Sequence, residues 1–85
     1  KNVYKINVTI VGGGRVTSQI GSVIEANYGE SRGFEWKANK GYKFSKLYVD
    51  GKQVKGLELL WYRLVGYTFN NIKANHTIKI VFVKK

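Results

Sequence analysis

The 85-residue chain has no cysteine, no proline and no methionine, and only one histidine. Without cysteine there is neither a disulfide staple nor a thiolate metal site, and cysteine usage says nothing about redox compartment. One histidine without cysteine cannot assemble the usual zinc site. Acidic residues are scarce, five against fifteen Lys and Arg, for a formal charge of +10. No run approaches the roughly 18 apolar residues of a membrane span, and no basic-then-apolar signal segment opens the chain. It opens on Lys1 rather than Met, which leads us to expect a processed product or a piece of a longer protein.

What is present is foldable. Hydrophobic residues make up 44% and aromatics 14%, the profile of a globular unit rather than a disordered tail. A chain this short buries only about 60% of its unfolded surface or slightly more. Most large apolar residues are therefore needed as core, and residues 1–85 read as one β module.

Hydrophobic periodicity sets the class. Tyr4, Ile6, Val8 and Ile10 alternate with Lys5, Asn7 and Thr9, and Ile78, Ile80 and Phe82 alternate with Thr77 and Lys79. Period two with β-branched residues predicts half-buried strands. Gly12-Gly13-Gly14 followed by Arg15 to Ser18 predicts a hairpin. Short strands are expected at Ser22 to Ala26 and across Phe34, Trp36 and Ala38. Tyr42 to Val49 runs into Asp50-Gly51, a strong hairpin signal, with Lys52 to Val54 returning. Tyr42 and Phe44 have one parity and Leu47 and Val49 the other, so a bulge near Ser45 is required. Leu57, Leu60, Trp61 and Leu64 fit helical spacing, but a strand leading into Tyr67 and Phe69 fits equally. The expectation is an all-β domain, small and two-sheet sandwich-like, of about seven short strands. A β-grasp-like arrangement with one short helix is the alternative. The expected core is Ile6, Val8, Ile10, Phe34, Trp36, Leu47, Val49, Phe69, Ile78, Ile80 and Phe82.

Catalytic and cofactor signals are thin. His76 has no partner carboxylate nearby in sequence and reads as a solvated turn residue. Asp50 is explained by its turn, and nothing pairs Glu25, Glu30, Glu35 or Glu58 as a glycosidase would need. The glycine run lacks the Gly-Lys-Ser/Thr ending of a phosphate loop. The expectation is no enzyme, no metal and no cofactor. Asn7-Val8-Thr9 and Asn75-His76-Thr77 fit the N-glycosylation pattern, which matters only in a glycosylating host.

The basic residues carry more. Lys37, Lys40, Lys43, Lys46, Lys52 and Lys55 fall within nineteen residues holding one acid, Asp50. On a β hairpin they form a positive ridge able to attract an anionic cell-surface polymer or glycan, with nucleic acid the lesser candidate. Edge-strand lysines that prevent aggregation look the same in sequence. Tyr48, Trp61 and Tyr62 are candidate partners in a sugar or base platform. The apolar segment Leu57 to Leu64 is the candidate contact for self-association.

In order, Tyr4-Lys5-Ile6-Asn7-Val8-Thr9, Gly13-Gly14-Arg15-Val16-Thr17, Asn27-Tyr28-Gly29-Glu30-Ser31, Phe34-Glu35-Trp36-Lys37-Ala38, Gly41-Tyr42-Lys43-Phe44, Leu47-Tyr48-Val49-Asp50-Gly51, Tyr67-Thr68-Phe69-Asn70-Asn71-Ile72 and Ala74-Asn75-His76-Thr77-Ile78 cover nearly the whole chain. That series resembles the divergent internalin-type B-repeat modules of bacterial and archaeal surface proteins. The resemblance implies an extracellular or cell-surface β scaffold, a spacer or adhesive domain of a larger secreted protein, and transfers no catalytic residue. The apolar stretch from Gly56 to Val65 and the lysine excess depart from that pattern.

Overall fold

A computed structural model describes residues 2–19 and 21–85. In chain order the elements are β1 (Val3–Val11), β2 (Gly14–Val16), β3 (Val23–Asn27), β4 (Arg32–Phe34), β5 (Trp36–Ala38), β6 (Tyr42–Val49), β7 (Lys52–Val54), α1 (Leu57–Val65), β8 (Tyr67–Phe69) and β9 (His76–Lys84). The first and last strands lie side by side and parallel, Val8 opposite Ile78 and Ile10 opposite Ile80. Antiparallel neighbours extend that pair into a five-stranded sheet of order β3-β1-β9-β6-β7. Two short ladders, β2–β5 and β4–β8, contribute side chains over one of its faces. The class is all-β with one short helix, and the second layer is two fragments rather than a full sheet.

Alternation decides which face is covered. Ile6, Val8, Leu47, Ile78, Ile80 and Phe82 from the sheet, with Phe34 and Phe69 from β4 and β8, are buried in one cluster. Ile10, Trp36 and Val49 are half-buried and pack against it. Phe34 meets Phe69 edge-on at 5.9 Å between ring centroids. Each fully buried chain of this size contributes roughly 1.5–3 kcal/mol, and with no covalent staple this cluster is what holds the fold. Ile24, Ala26 and Ile72 complete it, although the alternation pattern did not single them out.

Two local features follow from backbone chemistry. Asp50 and Gly51 both have positive φ, 52° and 83°. This is the two-residue turn whose twist suits a hairpin, closing on Val49 opposite Lys52. The register of β6 on β9 shifts between Phe44 and Lys46, the bulge that the parity change required.

The glycine run corrects one expectation. It closes no β1–β2 hairpin: β1 pairs with β3 and β9, and β2 pairs with β5. Gly12 turns the chain with φ 83°. A side chain on Gly13 would collide with the ring of Tyr42, and one on Gly14 with the ring of Phe82. The run therefore serves close packing as well as turning, letting the chain leave the sheet beneath two aromatic rings.

The ambiguous segment is helical. Its N–H and carbonyl ends fall at Gly56 and Gly66, and the Gly66 N–H donates to the Tyr62 carbonyl at 2.7 Å. Glu58 in the first turn and Arg63 in the last suit the helix dipole. Leu59 and Tyr62, three residues apart, face the core, and Tyr62 meets Tyr67 edge-on at 4.9 Å.

Candidate functional site

The uncovered face of the sheet is where the lysines collect. Lys43 and Lys46 are three residues apart, which in a regular strand puts them on opposite faces. The bulge restores them to one face, with Lys43 opposite Val83 and Lys46 opposite Val81. In the next row Tyr48 lies opposite Lys79, whose Nζ sits 5.4 Å from the centre of the Tyr48 ring. On the far side of β9, Thr9 and Val11 of β1 are in register with Lys79 and Val81. Three successive rows, about 6.8 Å apart, thus present Lys43, Lys46 and Lys79 among Val83, Val81 and Tyr48. Lys40, in the turn before β6, and Lys85, whose N–H donates to the Gly41 carbonyl at 2.9 Å, extend the positive field at one end.

The carboxylates lie off these three rows, although Glu25 has the parity of the uncovered face. Glu25 stands opposite Lys5 at the β1–β3 side of the sheet. Glu30 accepts from the Asn27 N–H and from Arg32, both at 2.8 Å. The hydrogen bond from the Asn27 N–H holds its carboxyl below the ordinary glutamate value; desolvation opposes this, and the Arg32 charge adds to the lowering. Among the described residues the carboxylate contacts to basic side chains are Arg32–Glu30 and the His76–Asp50 hydrogen bond, so none of the described lysines is neutralised by a carboxylate contact. The uncovered face can therefore offer unpaired ammonium groups beside one aromatic ring, and its field falls off over the Debye length, about 8 Å at physiological salt.

His76 differs from the solvated turn residue expected of it. It is half-buried, with Nδ1 2.9 Å from Asp50 Oδ2 and its ring stacked on Phe69 at 4.7 Å. Asp50 also accepts the Thr77 N–H at 3.0 Å. The turn aspartate therefore pins the β6–β7 hairpin to the start of β9, a partnership 26 residues apart that sequence proximity could not show. Tyr67 meets the rings of Tyr62 and Phe69 edge-on, and burial and then Tyr62 raise its phenol above the ordinary value.

The sequence-derived ridge is divided by the fold. Lys43 and Lys46 share the uncovered face, with Lys40 at its end. Lys37 lies on β5 opposite Arg15, in a separate ladder. Lys52 is opposite Val49 and so has the parity of the covered face, though it is exposed at the sheet edge, and Lys55 is exposed between β7 and α1. Tyr48 belongs to the lysine rows, whereas Trp61 is exposed on the helix and Tyr62 stacks toward the core. The three aromatics form no common platform. Lys79 was the missing member: its outward parity was legible, but its place beside Tyr48 depends on the pairing of β6 with β9.

Among the described residues no group of three or more His, Cys, Asp or Glu could hold a metal ion, and no helix is long and apolar enough to cross a membrane. No protein-family model matches the chain, and no curated protein or solved structure matches it either.

Proposed function

We propose that this chain is a non-catalytic module of a cell-surface or secreted protein, with an adhesive role exercised by binding an anionic polymer on the uncovered face of its sheet. The observation that carries this reading is the alignment of Lys43, Lys46 and Lys79 on successive rows without a carboxylate partner. A polymer with regularly spaced sulfates or phosphates could lie along the rows, while Tyr48 and the valines offer apolar contact to its backbone. The resemblance to internalin-type B-repeat modules supports the surface address and the scaffold role. The lysine excess that departs from that pattern supports binding over a plain spacer.

Charge reversal separates a site from mere net charge. Lys43→Glu/Lys46→Glu/Lys79→Glu is expected to weaken binding of a sulfated oligosaccharide by at least about 100-fold and to flatten its salt dependence by roughly three counterions. Lys37→Glu/Lys52→Glu/Lys55→Glu changes net charge equally and is expected to cost far less. Equal losses in the two variants would reduce the face to one part of a diffuse positive field.

A further inference from the structure

The helix is built inside out. Positions 57, 60, 61 and 64 follow the spacing that normally buries one stripe of a helix against a core. Here Leu57 is 83% exposed, Leu60 50%, Trp61 61% and Leu64 77%, with Val65 beside them at 48%. Core contact is made instead by Leu59 and Tyr62 on the other side of the helix. The stripe is continuous, contains the most exposed large apolar side chains of the described chain, and is served by neither β-sheet layer. A soluble anionic polymer on the lysine rows would leave it uncovered as well.

Charge and size select its occupant. The chain carries +10, so two copies repel each other while an anionic surface attracts both. The helix has nine residues, which makes its stripe about 14 Å long and no wider than a helix, ~10 Å. That is well short of the roughly 800 Å² each partner brings to a stable protein interface. Cations border the stripe. Lys37 and Arg63 line, together with Leu64 and Val65, an open cleft of about 330 Å³ at the helix C-terminal end. Lys55 precedes the helix at its other end. Lys37 and Arg63 stand beside Glu35 at the C-terminal end, and Lys55 and Glu58 flank the N-terminal end, so three cations meet two carboxylates. Leucines at helical spacing, an exposed Trp and flanking Lys and Arg are the chemistry of a helix lying in a membrane–water interface.

We propose that α1 is a membrane-surface foot. Leu57, Leu60, Trp61 and Leu64 enter the acyl–headgroup boundary of an anionic bilayer, while Lys37, Lys55 and Arg63 contact its headgroups. The chain docks on the bilayer and does not cross it. This site is separate from the lysine rows, and the two can fail independently.

The test is flotation and tryptophan fluorescence with vesicles of phosphatidylglycerol and phosphatidylcholine, set against phosphatidylcholine alone. Binding to the anionic vesicles with a blue shift of Trp emission is expected, and Trp61→Phe should remove most of the shift because Trp36 is half-buried against the core at the edge of the cleft. Leu57→Ser/Leu64→Ser should lower vesicle affinity by about tenfold or more with an unchanged thermal melt, since both side chains are already in solvent. Trp61→Ser provides a second variant at another exposed position. Lys43→Ala/Lys46→Ala/Lys79→Ala should retain the blue shift at saturating lipid. Binding without a blue shift, or binding indifferent to the leucine variants, would overturn the proposal in favour of simple electrostatic adsorption. So would lipid-free self-association abolished by Leu57→Ser/Leu64→Ser, which would make a second copy the occupant.

Discussion

In the strands an apolar parity marks the inside, whereas in the helix the apolar stripe marks the outside. Ile6, Val8, Ile78 and Ile80 alternate with polar residues and are buried by the ladders that cover their face. Leu57, Leu60, Trp61 and Leu64 recur with helical period and are left in water. The hydrophobic effect rewards burial without specifying a partner. A strand already inside a five-stranded sheet has its second layer supplied by the same chain. A nine-residue helix fixed at Leu59 and Tyr62 has only one side supplied, and its other side is available to something else.

The largest expected effect pits the two regions directly. Phe34→Ala should cost about 3–5 kcal/mol, and Leu64→Ser should stay within about 0.5 kcal/mol, read as urea midpoints at constant slope. Comparable losses would mean that the stripe is covered within the monomer and that the contrast is false. A smaller effect probes how the covered face closes. Gly14→Val places a side chain into the ring of Phe82, an overpacking expected to cost about 1–3 kcal/mol. A melt unchanged by that substitution would show that β2 does not lie beneath the ring. The smallest concerns the loop that anchors Ile72 to Glu30 through a 2.9 Å backbone hydrogen bond. Because the folded-state value of Glu30 is lowered, its contribution is fully present above the ordinary glutamate value and lost as pH falls through the lowered one. The stability gap between the native chain and Glu30→Gln should therefore narrow on acidification. A constant gap would mean that the carboxylate is not held by Asn27 and Arg32.

Much of this was legible locally. The parity change from Phe44 to Leu47 required the bulge, Asp50-Gly51 required the hairpin, and alternation in β1 and β9 marked which side chains are buried. The remainder depends on long-range partners. Nothing in the glycine run says that Phe82 and Tyr42 occupy the space their side chains would need. Ile72 lies outside any periodic segment and is buried because the Gly29 and Ile72 amides bond across to the opposite loop. The helical spacing at Leu57 to Leu64 was visible, but which side of the helix met the core was decided by Tyr62 reaching Tyr67. For the candidate site, the sequence showed a cluster of lysines, and the pairing of β6 with β9 replaced half of that cluster with Lys79.

Whether the uncovered sheet face is a discrete anionic-polymer site is decided by an amide NMR titration of the labelled chain with a sulfated oligosaccharide at near-physiological salt. Saturable shifts confined to residues around Lys43, Lys46, Tyr48 and Lys79 are expected, with none from a neutral glycan. Shifts spread evenly over Lys37, Lys52, Lys55 and Lys73 as well, vanishing as salt rises, would contradict it.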